Sequence, residues 1–232
     1  MLGYQVKHES QAIAGVTALN IRSLLDRQQF SDDDGAAERM GISSAVWPLF
    51  GMVWPSGQQL AARVALRPVD PAERILEIGC GLALASLVAH RRGADITASD
   101  CHPLTATFLA ENERLNALQP MPYRHGFWSA HEMQGGAPIA QPELRVDGRF
   151  DLIIGSDILY ERDDSGALPW FIAQHANPGA QIWIVDPDRA NRAAFTRQMA
   201  ALGLNVKEER LDAPATLLSD AYKGRLLTYR CN

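Results

Sequence analysis

Residues 74–84 restrict the possible folds of this chain more than any other stretch. Arg74-Ile75-Leu76-Glu77-Ile78 is a short apolar run that ends in the turn Gly79-Cys80-Gly81, and helical spacing takes over from Leu82 to Arg92. A strand this apolar has both faces covered, which is the situation of a parallel sheet with helices on either side. The pattern recurs downstream. Asp95 to Ser99 reads as a second strand ending at Asp100, and Leu104 to Leu118 as the helix after it. Phe150 to Gly155 and Gln181 to Val185 are two more strands of the doubly buried kind. A helix over Leu168 to His175 lies between them, and another over Arg189 to Leu202 follows. Strands alternating with helices predict an open, doubly wound α/β sheet that is mostly parallel. The tail offers two further strands, Val206 to Leu211 and Arg225 to Arg230, with no full helix between them, so one of them is expected to run antiparallel.

Ahead of this core lies a segment of different character. Tyr4 to Phe30 alternates weakly and predicts a short strand pair, and the acidic run Ser31 to Gly35 reads as a solvated loop. Val46 to Pro55 is aromatic and punctuated by Pro48 and Pro55. Ser56 stands where an N-cap belongs, before a helix carrying Leu60, Val64 and Leu66. The expected organisation is an N-terminal extension over residues 1–45 and one domain over 46–232.

Composition narrows the function classes. The chain has 232 residues, 47% of them apolar, enough to bury a full core without a disulfide or metal staple. Its formal charge of −5 has no concentrated basic run, so a nucleic acid is not an expected partner. Cys80, Cys101 and Cys231 are odd in number and widely spaced, which fits a reducing compartment. Neither a signal-peptide pattern at the start nor a run of membrane-spanning length is evident, so the expectation is a cytoplasmic protein without a membrane partner. The histidines do not pair at metal-ligand spacings, and no metal is expected.

In doubly wound sheets ligands bind beyond the carboxyl ends of the strands. Three strand ends here carry suitable groups: Glu77 with Gly79 and Gly81, then Asp100, then Ser156-Asp157. Glycines let the backbone approach a ligand closely, and Asp100 lies at roughly the twenty-residue spacing that puts a second-strand carboxylate near ribose hydroxyls. A dinucleotide fingerprint needs a small residue at position 84, where the chain has Leu84. It offers instead the form E-x-G-x-G-x-small, Glu77 to Ala83, whose carboxylate suits a cationic ligand and repels a pyrophosphate.

On these residues the chain resembles the seven-strand (class I) S-adenosylmethionine-dependent methyltransferases, and more narrowly their family 16, the lysine-methyltransferase-like group. The resemblance spans residues 46–188. It is carried by Val53-Trp54-Pro55-Ser56, the Glu77–Gly81 turn, Asp100, Glu111-Asn112 with Asn116, Phe127-Trp128, and the D-x-x-Y element Asp157 to Tyr160. It implies a seven-stranded Rossmann-like sheet and S-adenosyl-L-methionine as cofactor. Trp54, Glu77, Gly79, Cys80 and Gly81 are then expected to line the cofactor site. Asp100 is expected to bind the ribose, Trp128 to pack on the adenine, and Ser156 to close the pocket. Asp157 and Tyr160 are expected to face the methyl acceptor. Where relatives carry glycine this chain has Ala83, from which only slight crowding is expected.

A protein lysine is the acceptor this resemblance implies, with a small-molecule N- or O-methyl acceptor as the alternative. Lysine must first lose a proton from a pKa of about 10.4. A carboxylate alone stabilises the ammonium, so Asp157 is better cast as an orienting hydrogen-bond acceptor than as the sole base. Plainer roles stand beside these. Trp47 and Trp54 can simply cap the core, Asp157 can cap a helix, and Tyr160 can bond to backbone. Asn112 and Asn116 can stabilise a neighbouring loop, and Cys80 and Cys101 can act as small hydrophobes. Asp186-Pro187-Asp188-Arg189 faces the same end of the sheet but reads as a solvated turn before a helix. The stretch between Trp128 and Phe150, with Gly135, Gly136, Pro138 and Pro142, can serve as an acceptor lid. A nicotinamide-dependent oxidoreductase and a non-catalytic cofactor-binding protein are the competing classes.

Overall fold

The computed structural model describes residues 4–29, 32–134, 144–215 and 221–231. Strands β1 (Val6–Gln11) and β2 (Leu19–Leu24) form an antiparallel hairpin, followed by the short helix α1 (Ala36–Arg39) and a 3-10 turn, Trp47–Gly51. The main sheet then begins. Helix α2 (Pro55–Leu66) precedes β3 (Arg74–Ile78), α3 (Leu84–Arg91), β4 (Asp95–Asp100), α4 (Thr105–Leu115) and β5 (Tyr123–His125). After α5 (Ala130–Met133) come β6 (Phe150–Ser156), α6 (Ala167–His175), β7 (Ala176–Asp186), α7 (Arg192–Ala201), β8 (Leu204–Arg210) and β9 (Arg225–Cys231).

Seven strands stand in the order β5-β4-β3-β6-β7-β9-β8. All neighbours pair in parallel except β9, which runs antiparallel between β7 and β8. The expected doubly wound sheet with an antiparallel end is the observed one. The strand order reverses between β3 and β6, so the crevice at the carboxyl ends opens beside the Gly79 turn.

Strand alternation sorts the core into two layers. Ile75, Leu152, Ile154 and Val185 pack on the side of α2, α3 and α4, while Leu76, Ile78, Ile153 and Ile184 pack on the side of α6 and α7. Leu19, Ile21 and Leu24 of the hairpin join the first layer. Asn112 and Asn116 of α4 clasp that hairpin: Asn112 Oδ1 accepts from Arg22 N at 2.7 Å, and the Asn116 amide accepts from Asn20 N and donates to Asn20 O. Their stabilising role is thus the plain one.

Several local expectations are corrected. Ser56 is not an N-cap, because Pro55 already occupies the first helical position after Trp54, and the buried Ser56 hydroxyl instead meets Tyr222 Oη at 2.9 Å. Of the three apolar residues that mark this helix, Leu60 and Val64 are buried, while Leu66 is 70% exposed at its end. The acidic run holds more than a solvated loop, since Asp32 accepts hydrogen bonds from the Ala37 and Glu38 amides and ties down α1. Of the expected lid stretch between Trp128 and Phe150, Gly135, Gly136, Pro138 and Pro142 lie outside the described residues, as does Ser31.

Candidate active site

At the carboxyl ends of β3, β4 and β6 the chain encloses a cavity of about 290 Å³, at the small end of the range typical for small-molecule sites. Trp54, Glu77, Gly79, Cys80 and Gly81 line it. Asp100, Trp128, Ser156, Asp157 and Tyr160 line it as well, so the residues singled out in the sequence meet on one surface.

The floor is the turn after β3. Gly79 and Gly81 have φ of 58° and 50°, left-handed values that glycine adopts without penalty. A Cβ on Gly79 would sit 2.7 Å from Ile158 Cγ2, and one on Gly81 would sit 2.9 Å from the Phe50 carbonyl oxygen. Ala83 also has positive φ, 58°, at the N-cap of α3. Its departure from glycine therefore costs backbone strain of about 1–2 kcal/mol rather than crowding.

Glu77 is buried, and its Oε2 accepts hydrogen bonds from the Ser86 amide at 2.8 Å and from the Ser86 hydroxyl. Burial raises its pKa to about 7 against those two bonds, and the Asp100 charge pushes it in the same direction. Asp100 is committed too: Oδ2 accepts from Gly81 N at 2.9 Å and Oδ1 from His102 N at 2.8 Å, so the carboxylate fastens the Gly-rich turn to the loop after β4. Burial also raises the pKa of Asp100, of Cys80 and of Cys101. Thiols held protonated in this way behave as small apolar groups.

An aromatic wall closes the other side. The Phe50 and His102 rings stack at 3.8 Å, Trp47 packs edge-on to both, and Tyr4 stacks on Trp47. Burial lowers the His102 pKa to about 3, so the ring is neutral at physiological pH. Trp54 Nε1 donates to Leu49 O at 2.9 Å, which fixes its ring plane. Trp128 lines the cavity and packs against the buried ring of Phe171, with centroids 5.9 Å apart.

The third strand end holds a charged pair that the sequence reading passed over. Asp157 has φ of 58° and donates its amide to Val185 O, and its Oδ1 accepts from Arg189 Nη2 at 2.7 Å. Arg189 lines the cavity, and its own amide donates to Asp186 Oδ1 at 2.8 Å. Asp186 is fully buried, and burial lifts its pKa to about 6. Asp186 to Arg189 is therefore not a solvated turn. Asp188 alone faces outward, paired with Arg210 at 2.7 Å and Arg225 at 2.8 Å. Nor does Asp157 cap α6: Asp163 does, accepting from the Gly166 and Leu168 amides. Among the described residues no cluster of three or more His, Cys, Asp or Glu could hold a metal ion. No helix among them is long and apolar enough to cross a membrane.

No family model matches the chain. It is similar to the electron transfer flavoprotein beta subunit lysine methyltransferase of Danio rerio, 29% identical over 146 residues, covering 62% of this chain and 51% of that protein. It is also similar to the histone-arginine methyltransferase METTL23 of Rattus norvegicus, 30% identical over 141 residues and covering 58% of each. The chain thus spans about half the length of the curated relatives it matches. Among solved structures, magnesium protoporphyrin IX methyltransferase from Synechocystis PCC 6803 superposes with a TM-score of 0.54 at 15% identity, over 88% of this chain and 93% of that one. By strand order and by these similarities, the chain has the seven-strand fold of the class I methyltransferases.

Proposed function

We propose that the chain is an S-adenosyl-L-methionine-dependent methyltransferase whose acceptor is a lysine side chain of a protein. The observation that carries this reading is the pairing of two halves in one cavity: the Glu77–Gly81 turn with Asp100 on one side, and Asp157, Tyr160 and Arg189 on the other. The solved Synechocystis relative is described with bound SAM, and the Danio relative is named for a protein lysine, both of which support it.

The residues suit the cofactor. The backbone of the Gly79–Gly81 turn forms part of the cavity lining, Trp54 and Trp128 offer flat apolar walls, and Glu77 is a buried carboxyl available to a cationic group. When bound, S-adenosylmethionine supplies an electrophilic methyl group on a sulfonium. What remains for the protein is alignment and charge. Asp100 keeps the turn and the loop after β4 in register, and its attachment to two amides makes it first an organiser of the ribose wall. Asp157 presents its second oxygen to the incoming amine. Its first is held by Arg189, so the pair is nearly neutral and does not trap the lysine as an ammonium. The neutral amine, donating to Asp157, keeps its lone pair for the methyl carbon, and holding that geometry is worth several kcal/mol. Tyr160, at the rim and 41% exposed, borders the path by which a lysine enters.

The free cysteines Cys80 and Cys101 fit a reducing, cytoplasmic setting. Incubating the protein with labelled S-adenosylmethionine and a cell lysate tests the reading. Label should enter a protein band and be recovered as methyl-lysine after hydrolysis. Label confined to small metabolites would reject the protein acceptor and leave the small-molecule alternative standing.

A further inference from the structure

Five side chains of the carboxylate and guanidinium kinds line the cavity: Arg27, Glu77, Asp100, Asp157 and Arg189. Four are engaged within the protein. Glu77 bonds to Ser86, Asp100 to the amides of Gly81 and His102, and Asp157 and Arg189 to each other. Arg27 stands apart, for among the described residues no carboxylate pairs with it. It follows β2 on a turn braced by Gln29, whose side chain bonds both the amide and the carbonyl of Gln5. Its guanidinium lies over the Trp54 ring, 4.9 Å from the centroid, and that ring is locked through its bond to Leu49. A guanidinium stacked on an aromatic face keeps its N–H edge free, and that edge fits a carboxylate in two parallel hydrogen bonds.

We propose that Arg27 binds the carboxylate of the ligand's amino-acid tail, which on the reading above is the methionine tail of the cofactor. Glu77 and Arg27 then offer opposite charges to the two ends of one zwitterion, the first from the end of β3 and the second from the wall built by Trp54. This makes the segment after the N-terminal hairpin part of the cofactor site, and it selects for ligands that carry a free carboxylate.

The assignment rests on the cofactor reading, and titration calorimetry with two ligands separates them. S-adenosylhomocysteine carries ammonium and carboxylate, whereas S-adenosyl-3-thiopropylamine keeps the ammonium and lacks the carboxylate. Arg27→Ala should weaken S-adenosylhomocysteine about tenfold or more and change the decarboxylated analogue less than about twofold, with Arg27→Lys in between for the first ligand. Equal losses for both ligands, or none for either, would overturn the role of Arg27 while the cofactor reading survives. A wild-type chain that binds neither ligand would overturn both.

Discussion

A carboxyl group buried at the foot of a ligand cavity couples binding to pH, and Glu77 is in that position. Its pKa is raised to about 7 from 4.5, with burial the main cause, so the folded chain holds this proton more tightly than the unfolded chain does. That contribution to stability is therefore greatest below pH 4.5 and is lost as the pH rises towards about 7. A cationic ligand reverses the preference, because it favours the ionised form. Affinity for S-adenosylhomocysteine should accordingly rise with pH to about 7 and level off above it. Asp186, raised to about 6, titrates in the same window, so the decisive comparison is with Glu77→Gln, which should bind more weakly and with a flatter profile. A wild-type affinity that stays constant from about pH 5.5 to about 8.5 would show that Glu77 does not meet a cation. Arg189 carries a second expectation. Replacing it by Met leaves Asp157 unpaired and removes the positive charge beside Asp186, whose bond to the residue 189 amide remains, and the added negative charge holds an acceptor lysine as its ammonium. Methyl transfer to lysate protein by Arg189→Met should fall about a hundredfold near neutral pH and recover as the pH rises, with Arg189→Lys retaining most of the activity. A loss equal at every pH would assign Arg189 to packing alone. Glu77, Gly79, Cys80, Gly81, Asp100, Ser156 and Asp157 were legible as cavity-lining residues because an apolar run followed by a polar or small residue marks a strand end, and strand ends converge, whereas Trp54, Trp128 and Tyr160 were reached only through the family resemblance. Arg27 and Arg189 were not legible. The partners of each come from separate loops, with Arg189 lying 32 residues from Asp157 along the chain, and no periodicity links them.

The same limit governs the elements. β3 was expected over Arg74 to Ile78 and is found there, because its apolar run is bounded sharply by charge on one side and glycine on the other. β7 extends five residues ahead of the expected Gln181, through Asn177-Pro178-Gly179, where turn-forming residues conceal a strand that pairs with Phe150 across an irregular register. β5 was missed altogether, since it has three residues, lies at the sheet edge and follows Pro120 and Pro122 without an apolar run. The turn between β3 and α3 shows how conformation rather than composition determines tolerance. Gly81→Ala adds a left-handed penalty of about 1–2 kcal/mol and drives a methyl group against the backbone carbonyl of Phe50, so the 3-10 turn must shift. Ala83→Gly removes a penalty of that size but loosens the unfolded chain by about 0.4–1 kcal/mol and gives up a buried methyl. In urea unfolding, Gly81→Ala should therefore lose more than about 1 kcal/mol, while Ala83→Gly should stay within about 1 kcal/mol of wild type. Equal losses in the two variants would mean that the turn does not hold its left-handed geometry in solution.

At the scale of the whole molecule, the N-terminal hairpin is joined to the sheet domain by burial, hydrogen bonding and aromatic contact together. Leu19, Ile21 and Leu24 are at most 1% exposed and share one apolar layer with Leu60, Leu87 and Phe108. Arg91 at the end of α3 donates to the carbonyls of Thr17 and Ala18, and Asn112 and Asn116 of α4 bond to β2. Tyr4, Trp47, Phe50 and His102 extend the link to the loop after β4, beside Asp100. A boundary near residue 45 marks a change of sequence character and, we propose, no boundary of cooperativity. If the hairpin folded on its own, a cavity cut beneath it would shift only a local transition. If it is part of one unit, the whole curve must move. Ile21→Ala leaves such a cavity and should cost about 2–5 kcal/mol. Far-ultraviolet circular dichroism follows the sheet and helices, while fluorescence follows the five tryptophans, none of which lies within the hairpin itself. Both signals should shift to the same lower urea midpoint with the slope unchanged, as a two-state unit requires. Saturating S-adenosylhomocysteine should then restore part of the loss in both signals, since a ligand bound between hairpin-derived and sheet-derived walls stabilises the unit as a whole. A fluorescence midpoint that ignores Ile21→Ala would separate the hairpin from the fold.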